Sequence, residues 1–165
     1  MAKFYPATKD VVETVERMIK LYHPELEDAD IGVLLRDEAP ASDGKITFGQ
    51  AKKVTPELRA LMPYHFVIWF AEDQWYNLSQ AQRDALADHE LCHCKFDPNT
   101  GTAKIRDHDF AEFNCILERH GFWWPNATET KRAVEEGVQR HSLFGRLGKV
   151  TSVEVGGQAL QEALN

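Results

Sequence analysis

Hydrophobic positions in the first third of the chain follow first a helical and then an extended spacing. Apolar side chains recur every three or four residues over 8–22, which predicts an amphipathic helix. His23-Pro24 should end this helix, because the residue before a proline is pushed out of the helical region. The apolar run 31–36 predicts a strand, residues 40–44 a polar turn, and residues 46–54 an extended segment returning from that turn.

The middle of the chain predicts a buried strand followed by a capped helix. After a short helical piece at 58–61, residues 66–70 are all apolar and rich in β-branched and aromatic types, as in a strand buried on both faces. Ser79 and Gln82 have the spacing of a capping box, which predicts a helix from there to about Cys94. The turn formers at 97–101 are expected to stop this helix.

Two further helices are predicted in the last third of the chain, over 107–120 and 128–141. Gly121 is expected to end the first of them. Beyond Phe144 the glycines indicate a loosely held tail. We therefore expect one domain over residues 1–144 and a C-terminal tail over 145–165.

Composition and charge exclude several classes of protein. A chain of 165 residues with 43% hydrophobic residues is typical of one globular domain with a core. The net charge of −7 and the scattered basic residues disfavour direct nucleic-acid binding. No apolar stretch approaches the roughly 20 residues that cross a bilayer. Three cysteines and the absence of an apolar leader argue against a disulfide framework, so we expect a cytoplasmic protein.

The chemistry lies in His89-Glu90-Leu91-Cys92-His93, in the middle of the capped helix. Residues four apart on a helix share one face, about 5–6 Å apart, so both imidazoles can bind one zinc ion. Glu90 lies beside such an ion without binding it, and can take a proton from zinc-activated water and pass it to a leaving amine. The alternative is an exposed, charged helix with two incidental histidines.

A catalytic zinc site needs a third protein ligand and one open position, and the downstream candidates are His108, Asp109, Glu112 and His120. His108 is the preferred candidate, and Glu112 is the alternative, since two histidines and a glutamate also form a known catalytic set. On the predicted helix these two residues would share a face. Asp109 has the character of a carboxylate that orients a ligating imidazole, or of an acid near a helix N-terminus.

The cysteines and the other histidines have no ligand pattern of their own. Cys92 and Cys94 are two residues apart, a spacing that places side chains on different faces of a helix, so core packing is expected. His120 precedes Gly121 at the predicted helix end and is interpreted as complementing the helix dipole. His23 and His65 are expected in surface or satisfied core positions.

Residues 87–93 followed by 108–113 resemble the putative phage metallopeptidase family and, more distantly, the Spartan-type zincins. The resemblance covers about residues 31–124. It implies that His89, His93 and His108 are the ligands of Zn²⁺ and that Glu90 is the catalytic base. It also implies an α+β, zincin-like domain, in which a mixed or antiparallel sheet of about three strands packs on helices that include the HExxH helix. Strand 66–70 would be central and segment 46–54 nearer the edge, where an extended peptide could pair.

We therefore predict a phage-type, zinc-dependent peptidase that acts on a peptide or protein substrate. One alternative is a zinc-binding interaction protein of the same fold that cleaves nothing, for which a closed coordination sphere would be the signature. The other is a nucleic-acid-associated regulator with a zincin core, which would need a basic groove near the metal. The intact Glu90 favours the enzyme over the first alternative, and the net charge of −7 weighs against the second.

Overall fold

A computed structural model describes residues 1–108, 112–125, 132 and 136 of the chain. Residues Met1–Trp123 form one compact unit and Trp124–Asn165 a second. The expected domain boundary at residue 144 and the expected helix over 128–141 fall outside the described residues, apart from two isolated positions. Within the part that is described, no helix is long and apolar enough to cross a membrane.

The first unit contains helices and strands in mixed order, which confirms the α+β class. Strands β1 (Phe4–Pro6), β2 (Ile31–Arg36), β5 (Gly49–Lys53) and β6 (Phe66–Ala71) form a sheet in the order β1-β2-β6-β5. Strands β2 and β6 run parallel, and the other two pairings are antiparallel. This sheet is mixed, as expected, but it has four strands instead of about three, because Phe4–Pro6 adds a strand beside β2.

Two short hairpins complete the strands among the described residues. Strands β3 (Ala41–Ser42) and β4 (Lys45–Ile46) form the first, around the polar turn predicted at 40–44. Strands β7 (Cys94–Asp97) and β8 (Thr102–Ile105) form the second. The turn formers at 97–101 therefore close this hairpin, and the expectation that they stop the preceding helix is wrong. That helix ends at His93, and Cys94 is already extended.

The helices are α1 (Lys9–Tyr22), α2 (Pro56–Arg59), α3 (Glu72–Trp75), α4 (Gln80–His93) and α5 (Asn114–His120), with a 3-10 turn at Pro24–Leu26. Helix α1 packs against α4 through its apolar face, where Val11, Val15 and Met18 are buried. Each such side chain contributes up to roughly 1.5–3 kcal/mol by leaving water. Strand β6 is buried almost throughout, as its unbroken apolar run predicts. Strand β5, by contrast, lies at the edge of the sheet.

The helix predicted over 107–120 begins only at Asn114. Phe113 is extended, and residues 107 and 108 have no regular structure. Two hydrogen bonds of this segment are incompatible with a helix that begins at residue 107. The backbone N–H of Arg106 donates to the carbonyl of His93 at 2.8 Å, and the N–H of Phe113 donates to the Glu112 carboxylate at 2.8 Å. The first of these bonds ties Arg106 to the end of α4. Because neither His108 nor Glu112 lies in a helix, the two residues do not share a helical face.

Candidate metal centre

Helix α4 is held at both ends, which fixes the position of the histidines it carries. At its N-terminus the Ser79 hydroxyl accepts from the backbone N–H of Gln82, and the Gln82 side chain accepts from the N–H of Ser79. This confirms the predicted capping box. The side-chain amide nitrogen of Gln82 also donates to the backbone carbonyl of Trp123 at 3.0 Å. At the other end, His93 passes directly into strand β7.

Three histidines come together on one side of α4. The ring centroids of His89 and His93 are 5.2 Å apart, as expected for residues one turn apart on a helix. His108, on the segment after β8, lies 4.9 Å from the ring of His89 and 4.6 Å from that of His93. Nitrogen atoms of the three rings all lie within 4.8 Å of one another. The structure therefore brings together the three residues that the sequence singled out as ligands.

The second ring nitrogens of His89 and His93 have polar partners. Nδ1 of His89 is hydrogen-bonded to the carboxylate of Glu112, and Nδ1 of His93 donates to the carbonyl of Arg106 at 2.7 Å. A hydrogen bond at one ring nitrogen fixes the tautomer and leaves the other nitrogen as a lone-pair donor. Both rings are thus oriented with Nε2 available for a metal ion.

The separation of the nitrogens suits a shared ion. Nε2 of His108 lies 3.1 Å from Nε2 of His89. Two ligands about 2.0–2.1 Å from one zinc ion in a tetrahedral arrangement are roughly 3.3 Å apart. Two neutral imidazole nitrogens at this distance, both with lone pairs facing the same space, repel unless a cation or a proton lies between them. The donor set therefore fits a metal ion such as zinc.

Phe113 forms the floor of this cluster. Its side chain is fully buried, and its ring centroid lies 5.5, 4.8 and 5.0 Å from those of His89, His93 and His108. The guanidinium of Arg106 lies 4.9 Å from the same ring. An apolar side chain in this position restricts the motion of the imidazole rings and excludes water from one side of them.

Glu112, considered from the sequence as an alternative ligand or a residue that supports the ligands, is bonded to the ring of His89. Its Oε1 accepts from His89 and from the N–H of Phe113, and its Oε2 accepts from Nε1 of Trp123 at 3.1 Å. Burial would raise the pKa of Glu112, but the hydrogen bond and charge of His89 outweigh this and lower it. In the same pair, burial would lower the pKa of His89, but the hydrogen bond with Glu112 and the charges of Glu90 and Glu112 raise it. Because Glu112 is bonded to Nδ1 of His89 and His108 lies at its Nε2, the two residues are on opposite sides of the His89 ring.

Glu90 lies against strand β5. Its side chain is 4% exposed, and its carboxylate accepts a hydrogen bond from the backbone of Ala51. Gly49 makes room for it, since a Cβ atom there would stand 3.2 Å from Oε1 of Glu90. Burial raises the pKa of Glu90 to about 7, although the charge of His89 and the bond from Ala51 lower it in part. A carboxyl group with this pKa can both accept and release a proton near neutral pH.

His93 differs from His89 in its electrostatics. Burial lowers the pKa of His93, and the neighbouring His89 and His108 lower it further, against the opposing bond to the carbonyl of Arg106. A neutral imidazole is the form that binds a metal. Asp109, expected to orient a ligand or to lie near a helix N-terminus, is outside the described residues. The carboxylate seen to orient a ligand candidate is that of Glu112.

A second polar cluster lies on the other side of α4, around Asp88. This carboxylate is fully buried and has four partners: Nε2 of His23 at 2.6 Å, the guanidinium of Arg119 at 2.9 and 3.1 Å, Nε2 of His120 at 2.8 Å, and the thiol of Cys92, which donates at 3.9 Å. Burial would raise the pKa of Asp88, but its partners lower it. His23 is thus a satisfied core residue, as expected, whereas His120 is bonded to Asp88 instead of merely capping a helix.

Sequence reasoning missed this cluster because its members are far apart in the chain. Asp88 precedes the HExxH motif directly, but nothing in the spacing links it to His23 or to the end of α5. The same holds for Trp123, which reaches Glu112 from outside the motif. The cysteines behave as predicted: Cys92 and Cys94 are buried, and burial raises the pKa of both thiols.

Comparison with known proteins identifies one family. The model of the family described as "Putative phage metallopeptidase" matches residues 2–138, which is most of the chain. No curated protein and no solved structure matches the sequence.

Proposed function

The chain belongs to the putative phage metallopeptidase family, and from this premise and the three-histidine cluster we propose that it is a zinc peptidase with Glu90 as its catalytic base. A metallopeptidase family implies a metal ion and a protein or peptide substrate. The observation that carries the finer assignment is the convergence of His89, His93 and His108. Hydrogen bonds at Nδ1 orient the rings of His89 and His93.

We assign the ligands as His89, His93 and His108. Imidazole nitrogen is a donor that suits zinc, and three histidines leave the fourth position open, as in catalytic sites. Glu112 is assigned as the residue that orients His89, because both its oxygens are engaged with the imidazole, the backbone of Phe113 and the indole of Trp123. A ligand role for Glu112 would require its carboxylate to leave Nδ1 of His89 for the side of the ring where Nε2 lies.

When bound, the ion supplies Lewis-acid polarisation of a peptide carbonyl and of water. The chain's own contribution to the reaction is proton transfer. Glu90 has a buried carboxyl group whose pKa is raised to about 7, so it is poised to remove a proton from attacking water and to return it to the leaving amine. The backbone of Ala51 holds this carboxylate by a hydrogen bond and thereby sets its direction.

The edge strand β5 provides a place for an extended peptide. This strand pairs with β6 on one side and ends the four-stranded sheet. The Glu90 carboxylate touches β5 at Gly49 and Ala51, so a peptide added along this edge would lie near the proposed base. Addition of a strand to a sheet edge is a common way to bind extended peptides, because it uses backbone hydrogen bonds that any sequence can make.

The test is hydrolysis of an unfolded protein and of a mixed peptide library by the purified full chain with one equivalent of zinc. We expect new peptide ends, and loss of at least about a hundredfold in rate for Glu90→Gln, since general acid–base catalysis typically contributes 10²–10⁴-fold. Glu90→Gln should bind zinc as the wild type does, because Glu90 is not a ligand. Glu118→Gln, which removes an exposed carboxylate from α5, is the matched control and should retain full activity.

Two results would contradict the proposal. If Glu90→Gln cleaved as fast as the wild type, the assignment of the base would be wrong. If the zinc-loaded wild type released no new ends from any substrate in the library, the chain would be the non-catalytic binding protein of the same fold.

A further inference from the structure

The thiols of Cys92 and Cys115 lie opposite each other between α4 and α5. Their Sγ atoms are 3.5 Å apart. Cys92 lies directly before His93 on α4, and Cys115 is the second residue of α5. We propose that these two cysteines are a modification site, at which a hydroperoxide oxidises them to a reversible disulfide that links the two helices.

The geometry requires little movement. A disulfide has an S–S distance of about 2.05 Å and Cβ atoms roughly 3.5–4.5 Å apart. From a separation of 3.5 Å, the two sulfur atoms need to approach by about 1.5 Å to form the bond. The helices that carry them already pack together. Cys94, the third thiol, is directed elsewhere, since its Sγ donates to the carbonyl of Glu90 at 3.7 Å.

The pair is accessible from one side. A cavity on this face is lined by both thiols together with Tyr22, Glu25 and Arg119. Cys115 is only half-buried, whereas Cys92 is buried. The oxidant therefore meets Cys115 first: its sulfur attacks the peroxide oxygen, the O–O bond breaks, and a sulfenic acid and an alcohol or water result. Cys92 then attacks that sulfur, the S–O bond breaks, and water leaves with the proton of the thiol.

The residues around Cys92 could instead bind a metal ion, since His23, Asp88 and Cys92 have donor atoms within 4.8 Å of one another. Two observations favour the thiol reaction. Nε2 of His23 and Oδ1 of Asp88 are 2.6 Å apart, which is a hydrogen-bond distance and shorter than the roughly 3.3 Å between two zinc ligands. The guanidinium of Arg119 also lies on both oxygens of Asp88, where it neutralises the carboxylate and repels a second cation.

The disulfide would join two parts of the proposed site. Helix α4 carries His89 and His93, and Glu112, which orients His89, lies three residues before Cys115. Oxidation would therefore link residues 112–115, which include Glu112, covalently to α4. The formation of the bond does not depend on peptidase activity, so this inference and the proposed function can fail separately.

The experiment treats the full-length, zinc-loaded chain with hydrogen peroxide and examines it by intact mass and by peptide mapping without reduction. The expected result is a loss of 2 Da, a linked pair of peptides containing Cys92 and Cys115, and full reversal by a dithiol. Cys115→Ser should abolish the linked pair and the loss of 2 Da. Cys94→Ser, the matched control, should form the link as the wild type does.

A rise in the midpoint of thermal unfolding after oxidation is expected for the wild type and for Cys94→Ser, and not for Cys115→Ser, since a cross-link restricts the unfolded chain. Sulfinic or sulfonic acid at Cys115 without a linked peptide would overturn the proposal, as would a link between two chains. A second zinc equivalent, bound by the wild type and lost in Cys92→Ala, would assign the cluster to a metal instead.

Discussion

Removal of the Glu112 carboxylate tests whether this residue orients His89 without binding the metal itself. In Glu112→Gln, the side chain keeps its shape, but one of its two oxygens becomes an amide nitrogen. The carboxylate accepts from three donors, on His89, Phe113 and Trp123. An amide oxygen cannot serve all three, so at least one donor loses its acceptor and His89 loses the charge that fixes its tautomer.

The expected magnitude follows from these contacts. Loss of a partner that orients a ligating histidine typically weakens metal binding by 10–100-fold, or about 1.4–2.8 kcal/mol. One buried donor left without an acceptor costs a further 1–3 kcal/mol, roughly, in the free energy of unfolding. If Glu112 were itself a ligand, as the sequence also allowed, its loss should abolish stoichiometric binding, as loss of His89 would.

The assay is a competitive zinc titration against a chelating dye at constant pH, together with thermal unfolding of the metal-free protein. Glu118→Gln makes the same chemical change on an exposed residue of α5 and should leave both measurements unchanged. A zinc affinity for Glu112→Gln equal to that of the wild type would refute the orienting role. Complete loss of binding would refute it in favour of the ligand role.

Three further predictions concern the scaffold around the site. Gly49→Ala should cost about 1–3 kcal/mol in stability and reduce peptidase activity, because its Cβ would stand 3.1 Å from Phe70 and 3.2 Å from Oε1 of Glu90; unfolding curves and rates at saturating zinc test this. Asp88→Asn should cost about 3–5 kcal/mol in the free energy of unfolding by urea, because it removes the charge shared by His23, Arg119 and His120, while exposed Asp28→Asn should cost almost nothing. Burial, with a contribution from Arg59, lowers the pKa of His65 below 6.5, so its share of stability is present above pH 6.5 and is lost as the pH falls through the folded-state value. His65→Asn keeps an acceptor for the N–H of Asp30 but does not titrate, so its melting temperature should fall less between pH 7 and 5 than that of the wild type.

Each of these scaffold predictions can fail in a definite way. Wild-type stability and activity in Gly49→Ala would show that Glu90 does not depend on the close approach of β5. Equal stability losses in Asp88→Asn and Asp28→Asn would show that the charge of Asp88 and its ion pairs make no net contribution to stability. An equal fall in melting temperature between pH 7 and 5 for the wild type and His65→Asn would show that protonation of His65 is not linked to unfolding.

Local sequence patterns predicted the elements whose contacts are mainly local. The helix ending at Tyr22 and the capped helix that bears His89 and His93 follow from spacing and from one side-chain cap, both of which act within a few residues. The buried strand Phe66–Ala71 follows from its apolar run. The two histidines one turn apart on a helix are likewise a local feature.

The errors lie where distant residues decide the backbone. The spacing over 107–120 is helical, but the described residues 107, 108, 112 and 113 lie outside any helix, and the N–H of Arg106 bonds to the distant carbonyl of His93. The hairpin β7–β8 was missed for a related reason, since Cys94–Asp97 becomes a strand only through its pairing with Thr102–Ile105. Helical periodicity indicates that a segment can form a helix, but contacts with distant residues decide whether it does so.

The site shows the same division between local and distant information. The HExxH motif named His89, Glu90 and His93 without any knowledge of the fold, because the chemistry needs that spacing on a helix. The sequence left Glu112 as an alternative ligand or a residue behind the ligands, since its bonds to His89 and Trp123 join parts of the chain that only the fold brings together. The pair formed by Cys92 and Cys115 is also visible only when α5 is packed on α4.

The most direct test of the central claim is the position of zinc in crystals of the zinc-loaded full chain, located by anomalous scattering at the zinc absorption edge. We predict one strong peak per chain at about 2.0–2.1 Å from Nε2 of His89, His93 and His108, with no bond to Glu112. A peak that lacked His108 and contacted Glu112, or one centred on Asp88 and Cys92, would contradict the assignment of the metal centre.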